Sequence, residues 1–213
     1  MMKYEAIRMQ VLNAILEATK MGLIHGTSGN IAVRDFKDNV VAITPSGRPY
    51  DTMKAEDIAI VDIDGNWIDG PYKPSSETPM HTAVFRARPD VGACVHNHAL
   101  FCTVMAMTGE ELQPSTPPQA EFAPIRVVPF AQPGTVELAE GVVSKLGNDR
   151  AVLLKNHGCF CVGKDINAAM TAAVYVEEAA QIAYYATLMG KFQPLSQQNI
   201  QEFKDIIASG SAV

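Results

Sequence analysis

No stretch of this 213-residue chain approaches the ~20 consecutive apolar residues that a membrane span requires. Residues 1–10 carry charges where a secretory signal would need an apolar core, so export is not expected. Runs of like charge are missing, and a net charge of -6 leaves no basic surface for nucleic acid. A small anionic substrate is compatible with that balance, because backbone amides and hydroxyls bind phosphate inside acidic proteins. Internal repeats, low-complexity tracts and linkers are absent too, and the chain reads as one domain over 1–213. Nor does any glycine-rich turn carry the lysine of a nucleotide phosphate loop.

What is present describes a compact globular protein: 47% hydrophobic and 19% charged residues. The four cysteines, Cys94, Cys102, Cys159 and Cys161, are expected as free thiols in a reducing cytoplasm. Cys159-x-Cys161 reads as two small buried residues on one strand face.

Apolar spacing predicts an amphipathic helix over 4–21, with Ile7, Val11, Ile15 and Ala18 on one face and Gly22 as the stop. Strands follow at 31–34, 40–43 and 58–63, separated by polar turns, with Asp64-Gly65 leading into Trp67 and Ile68 as a hairpin. The first third is therefore a helix and an antiparallel meander. A helix after Pro74-Ser75-Ser76 tolerates Pro79 only in its first turn and ends by Pro89. A strand over 92–98 runs directly into a helix over 99–107. Prolines make 113–133 a loop with room for one short strand at 125–128, and Gly134-Thr135 opens the next helix, to 146. Strands at 150–155 and 160–162 pair with each other. Asp165 caps an alanine-rich helix to 189 that is apolar around too much of its circumference for a lone surface helix. A last short helix lies near 200–207.

The chemistry centres on His96-Asn97-His98. Side chains two apart on a strand share a face, so both imidazoles can converge on one ion; alternatively they are a pair of core-edge histidines. His157, beside Gly158 at a strand end, and Glu77, at a helix start, are the best candidates to complete a site. A histidine-based zinc site in a cytosolic protein favours catalysis, since structural zinc usually takes two or more cysteines. Ser75, Ser76 and Glu77 also fit a plain N-cap with an acidic first turn. Two hydroxyls and free amides at a helix start are equally a place for an anion. Gly26-Thr27-Ser28-Gly29-Asn30 and Ser46-Gly47 are further small polar turns of that kind.

Taken in order, Gly26-Thr27-Ser28-Gly29-Asn30, Thr44-Pro45-Ser46-Gly47, Pro74-Ser75-Ser76-Glu77, His96-Asn97-His98 and Asn156-His157-Gly158 resemble the class II aldolase/adducin family. The resemblance implies an α/β fold: a central, mainly antiparallel sheet flanked by helices on both sides. It implies a Zn2+-dependent lyase without a lysine Schiff base, with Mn2+ or Co2+ as substitute metals. His96, His98, His157 and Glu77 would hold the metal, and Glu77 would then serve as the proton-transfer base. Thr27, Ser28, Gly29, Asn30, Ser46, Gly47, Ser75 and Ser76 would cradle a phosphorylated sugar.

The implied reaction is reversible retro-aldol cleavage of a ketose 1-phosphate to dihydroxyacetone phosphate and an aldehyde through a metal-stabilised enediolate. The implied assembly is a homotetramer with active sites at subunit interfaces. Glutamate at position 77, where the family's epimerases carry aspartate, favours aldolase-type proton transfer. The family's aldolases also place tyrosines in the loop near 114–123 and in the C-terminal tail, and this chain has none there. Glu121 is the candidate second acid in their stead. Decarboxylation of a phosphorylated 3-oxo sugar acid, through the same enediolate, needs no such tyrosine and is one alternative; a ribulose-phosphate 4-epimerase-like activity is another. A zinc hydrolase and an adducin-like binding module are the readings from other classes.

Overall fold

A computed structural model describes residues 2–209; Met1 and residues 210–213, the ends of the expected 1–213 unit, lie outside the described residues. Helix α1 (Glu5–Lys20) buries Ile7, Val11, Ile15 and Ala18 on one face. Strands β1 (Asn30–Asp35), β2 (Val40–Ile43), β3 (Ala59–Asp62) and β4 (Trp67–Asp69) form the expected meander. Its turns are held by carboxylates: Asp35 accepts from the amides of Lys37 and Asp38, and Asp62 from those of Asp64 and Asn66. Helix α2 (Thr78–Ala87) carries Pro79 in its first turn, where no intrahelical N–H is lost.

Strand β5 (Ala93–Asn97) is followed by helix α3 (Leu100–Thr108). The proline-rich segment contains a 3-10 turn, Pro117–Phe122, and the short strand β6 (Arg126–Val128). Helix α4 (Val136–Leu146) is capped by Thr135, and strands β7 (Ala151–Leu154) and β8 (Gly158–Gly163) form a hairpin. The alanine-rich helix α5 (Ile166–Leu188) begins where the Asp165 carboxylate accepts from the Ala168 amide at 2.8 Å. Helix α6 (Gln197–Ala208) ends the described chain. No helix among the described residues is long and apolar enough to cross a membrane.

The eight strands of the described residues join one sheet in the order β4-β3-β2-β1-β5-β8-β7-β6, and among them only the β6–β7 pair is parallel. The period-two alternation of each strand sorts side chains to two faces. Ile31, Val33, Val95, Leu153, Cys159 and Cys161 pack towards α1, α3 and α5. Ala32, Ile43, Cys94, Val152, Phe160 and Val162 pack towards α2 and α4. The fold is thus the expected α/β arrangement with helices on both sides of a mainly antiparallel sheet. The breadth of α5's apolar surface has its reason here: its alanines let the helix lie close against β5 and β8 while α3 covers it laterally.

The centre of the sheet is where β5 passes between β1 and β8. Asn30 of β1 and Phe160 of β8 both stand in register with His96 of β5. At the end of this crossing the backbones leave no room for a side chain at residue 158. A Cβ on Gly158 would lie 2.2 Å from the Asn97 carbonyl oxygen and 3.2 Å from the His98 Cα. Gly158→Ala is expected to cost about 1–3 kcal/mol as an overpacking change. That lowers the melting temperature by about 2–4 °C per kcal/mol. Unchanged thermal unfolding would show that this approach is not tight.

Candidate metal centre

Each arm of the site has a local reason for its place. His96 lies near the C-terminal end of β5, on the face that looks towards α2, and His98 directly follows the strand. His157 sits in the turn between β7 and β8, which Asn156 makes by adopting a left-handed conformation at φ 56°, a region asparagine tolerates. Glu77 stands at the N-terminal boundary of α2. The expected serine cap is not formed there: Glu77 is the boundary residue, and the Ser75 hydroxyl accepts from the Glu77 amide at 3.2 Å. The Glu77 carboxylate points inward to Asn30 and His96, and the residue is 5% exposed.

The ligand atoms of Glu77, His96, His98 and His157 all lie within 4.8 Å of one another. His96 Nε2 is 2.9 Å from His98 Nε2 and 3.0 Å from Glu77 Oε2, and His157 Nε2 is 3.5 Å from Glu77 Oε1. A tetrahedral zinc site with bonds of about 2.0–2.2 Å puts its ligand atoms about 3.3–3.6 Å apart, so these residues fit a divalent cation. Two further observations agree. His96 Nδ1 donates to the Cys159 carbonyl at 2.8 Å, which leaves Nε2 free to ligate. Glu77 Oε1 is buried and accepts no hydrogen bond among the described residues. Cys159 and Cys161 lie on the other face of the sheet, as the reading of two buried strand residues expects.

The electrostatics couple the Glu77 carboxylate to His96, with His98 and His157 held as neutral neighbours. Burial opposes ionisation of Glu77, the effect expected to raise its pKa. Hydrogen bonding and attraction from His96, the Asn30 amide and His157 outweigh burial and hold the carboxyl well below its usual range. Burial likewise works against charge on His96, but Glu77 beside it raises its pKa on balance. His98 and His157 are pushed down to about 4, by burial first and then by repulsion from His96.

The cluster opens into a polar cavity of about 280 Å³. Thr27, Ser28, Gly29, Asn30, Ser46, Gly47, Ser75 and Ser76 all line it, together with Glu77, His98 and His157. Every residue expected for phosphate therefore faces the same space. The side chain of Asn30 is already engaged, its Nδ2 donating to Glu77 Oε2 at 2.9 Å. Tyr50 and Pro133 also line the cavity. The Tyr50 hydroxyl donates to the Gly29 carbonyl at 2.6 Å and so fixes the loop before Asn30; no spacing in the sequence marks it. Pro133 arrives because Gly134 packs on the Ser76 carbonyl, where a Cβ would approach to 2.7 Å. Glu121 is not brought to the cluster. It is paired with Arg150, and Arg150 lies at the opposite end of β7 from His157.

Comparison with known proteins gives this geometry its family. A family model described as the class II aldolase and adducin N-terminal domain matches residues 9–184. The chain belongs to the class II aldolase/adducin family. Its 5-deoxy-D-ribulose 1-phosphate aldolase relative from Bacillus thuringiensis is 37% identical over 182 residues, 84% of this chain and 85% of that protein. The L-fuculose phosphate aldolase of Escherichia coli K12 is 36% identical over 190 residues, 88% of this chain and 86% of that protein. A solved L-fuculose 1-phosphate aldolase superposes with a TM-score of 0.92 at 31% identity, covering 95% of this chain and 96% of that one. Class II aldolases are metal-dependent enzymes, and the chain is a carbon–carbon lyase of this type.

Burial also sets a pH dependence. His98 and His157 at about 4, and His81 at about 3, all lie below the 6.5 of a free imidazole. Below pH ~6.5 the unfolded chain takes up protons at these positions and the folded chain does not, so acid favours unfolding. His96, raised, opposes this with a single group. The melting temperature of metal-free protein is expected to fall steadily from pH 7 to pH 5; a rise over that window contradicts the assignment.

Proposed function

We propose that this protein is a Zn2+-dependent aldolase that reversibly cleaves a ketose 1-phosphate into dihydroxyacetone phosphate and an aldehyde. The observation that carries the reading is one cavity with a carboxylate–trihistidine cluster at its floor and hydroxyl-bearing turns on its walls. Zn2+ suits the donor set of three imidazoles and one carboxylate, with Mn2+ or Co2+ as substitutes.

Ser28, Ser46, Ser75 and Ser76, with the backbone amides of the Thr27–Gly29 turn and Gly47, take the substrate phosphate. The start of α2 directly behind Ser75 and Ser76 adds a favourable dipole for that anion. A bound divalent cation supplies Lewis-acid stabilisation of the enediolate charge. Glu77 moves the proton. In condensation its carboxylate takes a proton from the hydroxymethyl carbon beside the carbonyl; in cleavage the proton given up by the ketose hydroxyl that becomes the aldehyde carbonyl passes through Glu77 to that carbon once the carbon–carbon bond has broken. Asn30, in contact with Glu77, steadies the carboxylate between these states.

The same proposal places the enzyme in the cytoplasm, in keeping with its buried free cysteines. It also includes assembly as a homotetramer with the sites at subunit interfaces. Exposed Leu100, Met107, Tyr185, Leu188 and Met189 on α3 and at the end of α5 supply apolar surface for subunit contact.

Metal-replete protein assayed against ketose 1-phosphates should yield dihydroxyacetone phosphate, lose activity on chelation and regain it with Zn2+. Glu77→Gln should lower turnover by about 100-fold or more. Ser75→Ala and Ser76→Ala should raise KM with little change in turnover. Borohydride with substrate should leave the protein unmodified, and a lysine adduct would refute the mechanism. Carbon dioxide release from phosphorylated 3-oxo sugar acids, with ketose 1-phosphates untouched, would transfer the site to decarboxylation.

A further inference from the structure

His81 lies outside the ligand set, yet its environment is unlike that of a packing residue. It sits on α2 four residues after Glu77, so both side chains share a helix face. Asn30, His96 and Phe160 form a row across β1, β5 and β8 beneath that helix. The His81 ring, fully buried, covers the two ends of the row. It meets Phe160 edge-on at a centroid distance of 5.1 Å, and its Nε2 bonds to Asn30 Oδ1 at 2.5 Å.

The contacts at the two ends of the Asn30 amide together decide how it is turned: the ionised Glu77 carboxylate only accepts, so the NH2 group faces it and Oδ1 faces His81. Asn30 Oδ1 only accepts, so His81 Nε2 is the donor. With the oxygen engaged by His81, the Asn30 NH2 group faces Glu77 and donates to Oε2 at 2.9 Å. The opposite orientation would set two oxygen acceptors against each other. Burial pushes the His81 pKa down to about 3, so the ring is neutral, with Nδ1 as the unprotonated nitrogen. Nδ1 has no hydrogen-bond partner among the described residues. A buried acceptor without a partner is unfavourable, and an apolar side chain would pack in this place without that cost. The histidine is therefore suited to its single bond to Asn30 and not to core stability. The Glu77 carboxylate is left asymmetric: Oε2 is held by Asn30 and His96, while Oε1 accepts no hydrogen bond among the described residues and lies 3.5 Å from His157 Nε2.

We propose that His81 is a positioning residue for the reaction: its Nε2–H locks the Asn30 amide, and the locked amide holds Glu77 Oε2 and leaves Oε1 for the proton. The inference rests on Glu77 being the proton-transfer group.

The test compares His81→Phe, which keeps a ring against Phe160 and removes the donor, with His81→Gln, whose terminal amide keeps a donor at similar reach. In zinc-replete protein, His81→Phe is expected to lower kcat about 10–100-fold with KM changed less than about threefold, and to weaken zinc affinity about tenfold in chelator competition. His81→Gln should stay within about threefold of the wild type on all of these. In an Asn30→Ala background, His81→Phe should cost nothing further in kcat, because both changes break the same chain. Equal losses in His81→Phe and His81→Gln, or full additivity with Asn30→Ala, would overturn the proposal. Should His81→Phe not fold, His81→Leu, which also lacks the donor, is run through the same Asn30 cycle with the same criterion. Glu77→Gln, measured alongside, separates the two layers: if it keeps full turnover, the reading of Glu77 fails first; if it is inactive while His81→Phe is normal, only the His81 inference fails.

Discussion

The antiparallel pairing of β5 with β8 is the constraint from which the site follows. It sets His96 and His98, at the end of one strand, beside the turn that carries His157, at the start of the next. The approach is close enough that residue 158 must be glycine, with no space for a Cβ against Asn97. β1 on the other side of β5 brings Asn30 level with His96, and α2 lies over this row with Glu77 at its first residue boundary. A shift of one residue in the β5–β8 register would turn the imidazoles to the α5 face and replace them with Val95 and Asn97.

The same packing explains the charge state of the site. Three imidazoles and a carboxylate buried together cannot all carry charge. Glu77 is held ionised by the donors around it, and His98 and His157 are held neutral, which is the state in which imidazole binds a cation. The Cys159 and Cys161 thiols lie on the opposite face of β8, which leaves a nitrogen–oxygen donor set at the cluster. Beyond the cluster the cavity wall changes to serine hydroxyls and small turns, so one end of the pocket suits a cation and the other an anion.

Most of this was legible in the chain because it is written in local patterns. Three-to-four spacing marked α1, period-two alternation marked the meander strands, and Asp165 marked the start of α5. His96-x-His98 announced a shared strand face, and the five ordered motifs tied Glu77, His157 and the polar turns to it. What escaped depends on long-range packing. Nothing local says that β5 inserts between β1 and β8, or that β6 runs parallel to β7 across a helix. Ser76 has the sequence of a helix cap, but the Ser75 hydroxyl takes the Glu77 amide instead. Glu121 had the right chemistry for a second acid, yet Arg150 holds it at the far end of β7. Tyr50 and His81 act through contacts 21 and 51 residues away in the chain, although the four-residue step from Glu77 to His81 was a usable signal.

The claim that a single cation sits among Glu77, His96, His98 and His157 is tested most directly by X-ray absorption at the metal edge of purified, zinc-replete protein. The account predicts a first shell of imidazole nitrogens and carboxylate oxygen at about 2.0–2.2 Å with no sulfur. Sulfur scattering near 2.3 Å, or protein that retains no zinc under replete conditions, would contradict it.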